Sequence, residues 1–370
     1  MKWVGFILLL ILPGVTMAKT LRIAALYSLN NRGHENFGYG IEAACITNAV
    51  VEDARQNGLS ISVESFDLGP TPISTADTAR KIVDGKFDVA LGTLVSSEAI
   101  VASRVFEAAK LPFIVPTATN PEVTEGKHLV ARIPFSDMRQ AELLSKLTVH
   151  ELKPKVVAIL RNASNPYSDY LGRTFRRDLE KERPDLKIYD FPVVDGFDDQ
   201  HALVSSVLAV KPDLIFAPIL QATIAYLYSE LTRLNVKMTI LGSDIVESDV
   251  NFLQVLGRTN PAIRFVFVQH WNRRYEGEIG ATYRRLHDKY CSQYPSSMVT
   301  AAVFDATMLL LETVKKYPMA RRQSLIDDFK RMKFTGLTGP MIYDQSGNVL
   351  KPLQLFTVRE NKTVFWRSYQ

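Results

Sequence analysis

The chain has 370 residues, 46% of them hydrophobic and 22% charged. That excludes a small disulfide-framed module and a disordered chain, and because one core seldom grows much beyond ~250 residues, two lobes are expected. The formal charge of +5, from 44 basic and 39 acidic residues, only weakly favours negative partners. Neither an RNA-binding aromatic motif nor zinc-finger spacing accompanies Arg273-Arg274, Arg284-Arg285 or Arg321-Arg322, so nucleic acid is not an expected partner.

At the N-terminus, Lys2 precedes an apolar run from Trp3 to Leu12, followed by Pro13-Gly14 and the small-residue pattern Thr16-Met17-Ala18. This order of charge, apolar core and cleavage site is that of a secretory signal peptide, residues 1–18, cut after Ala18. The run is short for a ~30 Å hydrocarbon core. A buried strand or a short anchor is the alternative reading. Cys45 and Cys291, the only cysteines, allow one disulfide in an oxidising compartment, or are two buried thiols.

Strand and helix patterns then alternate. Leu21–Leu26 is apolar enough for a covered strand, a polar loop runs from Ser28 to Gly40, and a helix is expected over Ile41–Gln56 with Gly58 as its stop. A strand over Ser60–Phe66 leads through Asp67-Leu68-Gly69-Pro70 to a helix capped by Ser74 or Thr75 and ending near Val83. Phe87–Leu91 is the next strand, Glu98–Ala109 the next helix, and Pro112–Pro116 a short extended piece. Such spacing is that of right-handed crossover units in an α/β lobe.

The pattern restarts after Arg132, with strands at Val156–Leu160, Lys187–Val194, Asp213–Ala217, Met238–Leu241 and Ile263–Val268. Helices fit Tyr170–Glu182, Gln200–Ala209 and Thr223–Leu234, with a shorter one near Val250–Leu256. Helical patterns at Gly280–Tyr290, Val299–Lys316 and Ser324–Met332 precede short strands between Met341 and Trp366. The late helices are expected to complete the first lobe, residues 19–131 with 270–336, and the terminal strands the second, residues 132–269 with 337–370.

Several segments, taken in order, resemble the amino-acid-binding proteins of branched-chain amino acid ABC transporters. They are Val89-Ala90-Leu91-Gly92 through Ser96-Ser97, Pro112 through Thr124, Arg132-Ile133-Pro134-Phe135-Ser136-Asp137, and Phe334-Thr335-Gly336-Leu337-Thr338-Gly339-Pro340 followed by Tyr343-Asp344-Gln345-Ser346-Gly347. The resemblance covers most of the mature chain. It implies a type I periplasmic binding protein fold: two Rossmann-like α/β lobes joined by three crossings, with a ligand cleft between them. It also implies a periplasmic receptor that delivers an amino acid, or a closely related small polar ligand, to a membrane permease, with no cofactor. A periplasmic sensing or interaction module without a transport role is the alternative.

By the same resemblance, Ser96 or Ser97 and Thr119 donate to a ligand carboxylate, with Thr117 supplying a backbone position. Tyr167, after Asn165-Pro166, covers the ligand from the opposite lobe, and Asp244 pairs with its ammonium. Ser96, Ser97 and Thr119 could equally order turns, and Asp244 could cap a helix. Phe37 and Tyr39 in the early loop, and Ile219, Leu220 and Gln221 at a later strand end, are candidate selectivity residues. Trp271 belongs either near the lobe junction or in the core. There is no Gly-x-Ser-x-Gly elbow, no His-Glu-x-x-His and no Walker loop, and the 6 histidines are dispersed. An enzyme is therefore not expected.

Overall fold

The computed structural model describes residues 20–30, 37–193, 199–246, 253, 256, 259–273, 277–318, 322–344 and 347–370. The expected signal peptide, the His34-bearing part of the early loop and most of the Val250–Leu256 helix lie outside them.

The first sheet is parallel, in the order β2-β1-β3-β4-β5, built from β1 (Leu21–Tyr27), β2 (Ile61–Asp67), β3 (Val89–Gly92), β4 (Phe113–Val115) and β5 (Val130–Arg132). Successive side chains of a strand point to opposite faces, and both faces of β1 are covered. Ile23, Ala25 and Tyr27 pack with α1 (Phe37–Gln56), α8 (Glu278–Tyr290), α9 (Met298–Lys316) and α10 (Arg322–Arg331). Ala24 and Leu26 pack with α2 (Pro72–Asp84) and α3 (Ser96–Ala108). Double coverage is why this strand is a continuous apolar run rather than an alternating one.

The second sheet has the order β14-β13-β10-β9-β8-β6-β7. Its parallel part comprises β6 (Val156–Asn162), β7 (Lys187–Val193), β8 (Leu214–Ala217), β9 (Met238–Gly242) and β10 (Ile263–Gln269). The antiparallel strands β13 (Leu353–Arg359) and β14 (Lys362–Tyr369) extend it. One face packs on α6 (Gln200–Ala209) and α7 (Gln221–Arg233), the other on α4 (Asp137–Leu147) and α5 (Pro166–Glu182). A two-stranded ribbon, β11 (Phe334–Gly336) with β12 (Gly339–Met341), stands apart. No described helix is long and apolar enough to cross a membrane.

The chain passes from the first sheet to the second after β5, returns after β10 and passes again before β13, which is the expected two-lobed α/β arrangement. Leu337, Met341 and Val349 pack in the core of the first sheet, so packing carries that lobe past residue 336 to Val349. Beneath this last crossing, the buried Asp305 carboxylate of α9 accepts from the backbone N–H groups of Leu337 and Thr338, both at 2.8 Å, and from Thr338 Oγ1 at 2.6 Å. Gly336 permits that approach, since a Cβ there would lie 2.3 Å from the carboxylate. Trp271 is buried in the first core, at the crossing that follows β10.

Two local expectations change. The cap of α2 is Thr71, in a reciprocal box with Ser74, with Pro72 in the first turn. Helix α4 was not anticipated; Ser136 caps it, and Ala141, Leu143, Leu144 and Leu147 are buried. Cys45 and Cys291 form a disulfide with their Cα atoms 5.9 Å apart, tying α1 to the residue that ends α8.

Candidate functional site

In open α/β sheets, ligands bind beyond the carboxyl ends of the strands, where the strand order reverses. Here the loops after β3 and β4 face those after β6, β8, β9 and β10 across a cavity of about 360 Å³.

The first wall begins at Gly92, whose φ of +135° and close approach suit glycine, because a Cβ would sit 2.3 Å from the Leu26 carbonyl oxygen. The chain then turns into α3, whose N-cap Val95 supplies no side-chain acceptor. The first turn, which carries Ser96, Ser97 and the buried Glu98, ends at the cavity with no side-chain hydrogen bond from its N-cap residue, and a helix N-terminus is a favourable setting for an anion. Thr117 Oγ1 donates to the Leu94 carbonyl at 2.5 Å, so its hydroxyl proton is committed within the loop. Thr119 also lines the cavity, and its carbonyl is fixed by Arg132 Nη1 at 2.6 Å and by the Asp137 N–H at 2.9 Å.

The opposite wall is a buried polar network. Asn165 caps α5 by accepting from the N–H groups of Tyr167 and Ser168, at 3.0 and 3.3 Å, which sets Tyr167 at the cavity. The Tyr167 hydroxyl donates to Asp244 Oδ1 at 2.6 Å and shares a hydrogen bond with Ser243 Oγ at 2.7 Å. Gln140 of α4 donates to the same Oδ1 at 2.7 Å and accepts the Asp244 N–H at 3.1 Å. His270 Nε2 is 2.8 Å from Asp244 Oδ2, and its ring lies 4.2 Å from that of Phe135.

Burial alone pushes the Asp244 carboxyl up, but the His270 hydrogen bond and charge, with the Tyr167 and Gln140 donors, outweigh it and hold the group below the usual carboxylate value. Burial and the charge of Asp244 push neighbouring Asp137 well above that range, and Thr119 and Arg132 only partly offset them. Tyr167 is likewise pushed up by burial, with Asp244 and Asp137 adding to it. The network thus sets two neighbouring carboxyls apart, favouring the charged form of Asp244 and the neutral form of Asp137.

Ser96, Ser97, Thr117, Thr119, Tyr167, Asp244, Tyr39, Leu220 and Gln221 all line the cavity. Ile219 does not: it is 4% exposed and packs in the core of the second sheet beneath α7. Phe37 begins α1, and its side chain is outside what the structure describes. Sequence reasoning passed over Gln140 and gave His270 no role. His270 directly follows β10, so the strand-end rule was a usable pointer to it. Nothing local marks a helical glutamine as the partner of an aspartate 104 residues away. Contacts that join the walls include Asn120 Nδ2, which donates to the Pro166 carbonyl at 2.9 Å, and Gln221 Nε2, which donates to Tyr39 Oη at 3.5 Å. Among the described residues, no His, Cys, Asp and Glu cluster is arranged to hold a metal ion.

A family model described as periplasmic binding protein matches residues 20–363. The Leu/Ile/Val-binding protein of Citrobacter freundii is 26% identical over 210 residues, 55% of this chain and 56% of that protein. An amino acid binding protein of Pseudomonas aeruginosa is 29% identical over 162 residues, 43% of each. The chain thus spans roughly half the length of the curated relatives it matches. Among solved structures, a leucine binding protein from Thermotoga maritima superposes with a TM-score of 0.83 at 19% identity, covering 95% of this chain and 99% of that one. A solute binding protein from R. palustris, in complex with 4-hydroxybenzoate, gives 0.81 at 16% identity, covering 95% and 97%. At these identities the two structures speak to the fold alone.

Proposed function

The chain belongs to the periplasmic binding protein family, a family of solute-binding proteins and not of enzymes, and on that footing we propose that it is the extracytoplasmic substrate-binding component of an ABC transporter. Its cleft captures a small carboxylate-bearing solute, an amino acid or a close relative of one, and presents it to a membrane permease. Residues 1–18 direct export to the periplasm and are removed there. The lobes that close on the solute are residues 19–131 with 270 to about 349, and 132–269 with the C-terminal strands.

The observation that carries this reading is the opposition of two unlike walls across one cavity. The N-terminal turn of α3, with Ser96, Ser97 and the Thr117–Thr119 loop, offers donors without a full positive charge. Facing it, Tyr167 and Leu220 supply apolar surface, and Gln221 an amide, to the rest of the solute. The names of the curated relatives, Leu/Ile/Val-binding and amino acid binding, support the amino acid end of the range. The R. palustris protein of the same fold holds 4-hydroxybenzoate, a carboxylate that is not an amino acid.

Native mass spectrometry of the purified protein, followed by denaturation and identification of the released molecule, tests the proposal. One small carboxylate per chain is expected. A stoichiometric solute without a carboxylate contradicts it.

A further inference from the structure

Among the described residues lining the cavity, Asp244 is the sole carboxylate, and therefore the sole anionic acceptor for a ligand ammonium. Three side chains already hold it. Gln140 and Tyr167 both donate to Oδ1, and His270 engages Oδ2. An ionised carboxylate has about four lone-pair sites, so the one left over is on the oxygen that His270 holds. An ammonium arriving there would have to share that oxygen with the imidazole, two donors on one acceptor.

The network is also fixed from behind. Gln140 meets Asp244 through both ends of its amide, and the His270 ring rests on Phe135 at the first lobe crossing. The side chains of His270 and Asp244 are only 4% and 7% exposed. Drawing the carboxylate toward a ligand would strand buried donors, each left with its full desolvation penalty. The rest of the lining includes Leu94, Val95, Ala118, Ile245, Met298 and Val299, so the body of the ligand meets a mostly apolar surface.

We infer that the solute of this cleft is an apolar monocarboxylate without an α-ammonium group, and that His270 and Gln140, by occupying Asp244, are the residues that exclude amino acids. This rests on the carboxylate-capturing role proposed above and narrows it: the acidic residue expected to pair with an ammonium instead serves as the anchor of an internal network.

The test is calorimetric titration of the purified protein, freed of carried-over solute by unfolding and refolding, with two pairs matched in carbon skeleton. These are leucine against 4-methylpentanoate, and phenylalanine against 3-phenylpropanoate. The des-amino acid is expected to bind at least about tenfold more tightly in one pair or both. An amino acid that binds as tightly as its partner, or more so, overturns the inference while leaving carboxylate capture intact. Binding of none of the four at millimolar concentration overturns both. His270→Phe keeps a ring on Phe135 and removes the partner of Oδ2, and Gln140→Met frees Oδ1. In whichever of these variants retains a cooperative melt, the preference should move about tenfold toward the amino acid. An unchanged preference removes His270 and Gln140 from the role, and should neither variant fold, the wild-type pairs decide the matter.

Discussion

Lys351 is buried in the last lobe crossing, where its ammonium donates to Thr338 Oγ1 at 2.8 Å. Burial pulls its pKa down to about 7, against the opposing pull of Asp305. In the unfolded chain the same group titrates near ~10.4. Between those two values the unfolded state binds more protons, so stability rises with pH, by up to about 1.4 kcal/mol per pH unit. Below about 7 the ammonium is charged in both states, and the cost of burying it is present in full. Lys351→Met is therefore expected to flatten the rise between about pH 7 and pH 9, as read by denaturant unfolding across that window. Equal slopes in the two proteins would contradict the assignment. Nothing in the sequence marked this lysine, because its environment is made by Thr338, 13 residues before it, and by a helix further back in the chain.

The clearest covalent constraint between elements is the Cys45–Cys291 bridge, which closes a sequence separation of 246 residues between α1 and the end of α8. Both cysteines belong to the first lobe's packing, and neither lines the cavity. Reduction, or Cys45→Ser with Cys291→Ser, is expected to lower stability by about 2–4 kcal/mol and to leave solute affinity unchanged. Unfolding curves and titrations with and without reductant check this, and an unmoved unfolding midpoint would count against it. At this scale much was legible: Gln200–Ala209 was expected with the bounds that α6 has. Strands β1, β6 and β10 were likewise located as apolar runs that reflect burial on both faces. Helix α4 was legible in principle, since Ser136 caps a stretch with Leu143, Leu144 and Leu147 on its buried side. The start of α3 is expected at Glu98 and lies at Ser96, a small shift that places both serines in the cavity-lining first turn.

Taken whole, the molecule is two doubly covered sheets whose strand ends face each other, with the lobe crossings tied together behind the cleft. Arg132, fully buried at the first crossing, donates to the Thr119 and Pro121 carbonyls, and Tyr343 of the last crossing donates to the Arg132 carbonyl at 2.8 Å. The cavity-lining loop at Thr119 and the crossing thus share a guanidinium, which couples the loop's position to that of the crossing. Alternation of strands and helices made the two lobes legible, and resemblance supplied the cleft and six of its lining residues, with Tyr39, Leu220 and Gln221 added as selectivity candidates at loops and strand ends. What remained hidden is the Asp244 network, because Gln140, Tyr167, Asp244 and His270 come from four separate elements and meet only in three dimensions.

The central claim is that the first wall captures a carboxylate. Its most direct test is calorimetric titration, into the wild type and into the Ser97→Ala/Thr119→Val double variant, of the solute released from the purified protein. Loss of two donors to a charged group, each worth about 1.5–3 kcal/mol, predicts a fall in affinity of about a hundredfold or more with the fold intact. Equal affinity in the two proteins would contradict the claim.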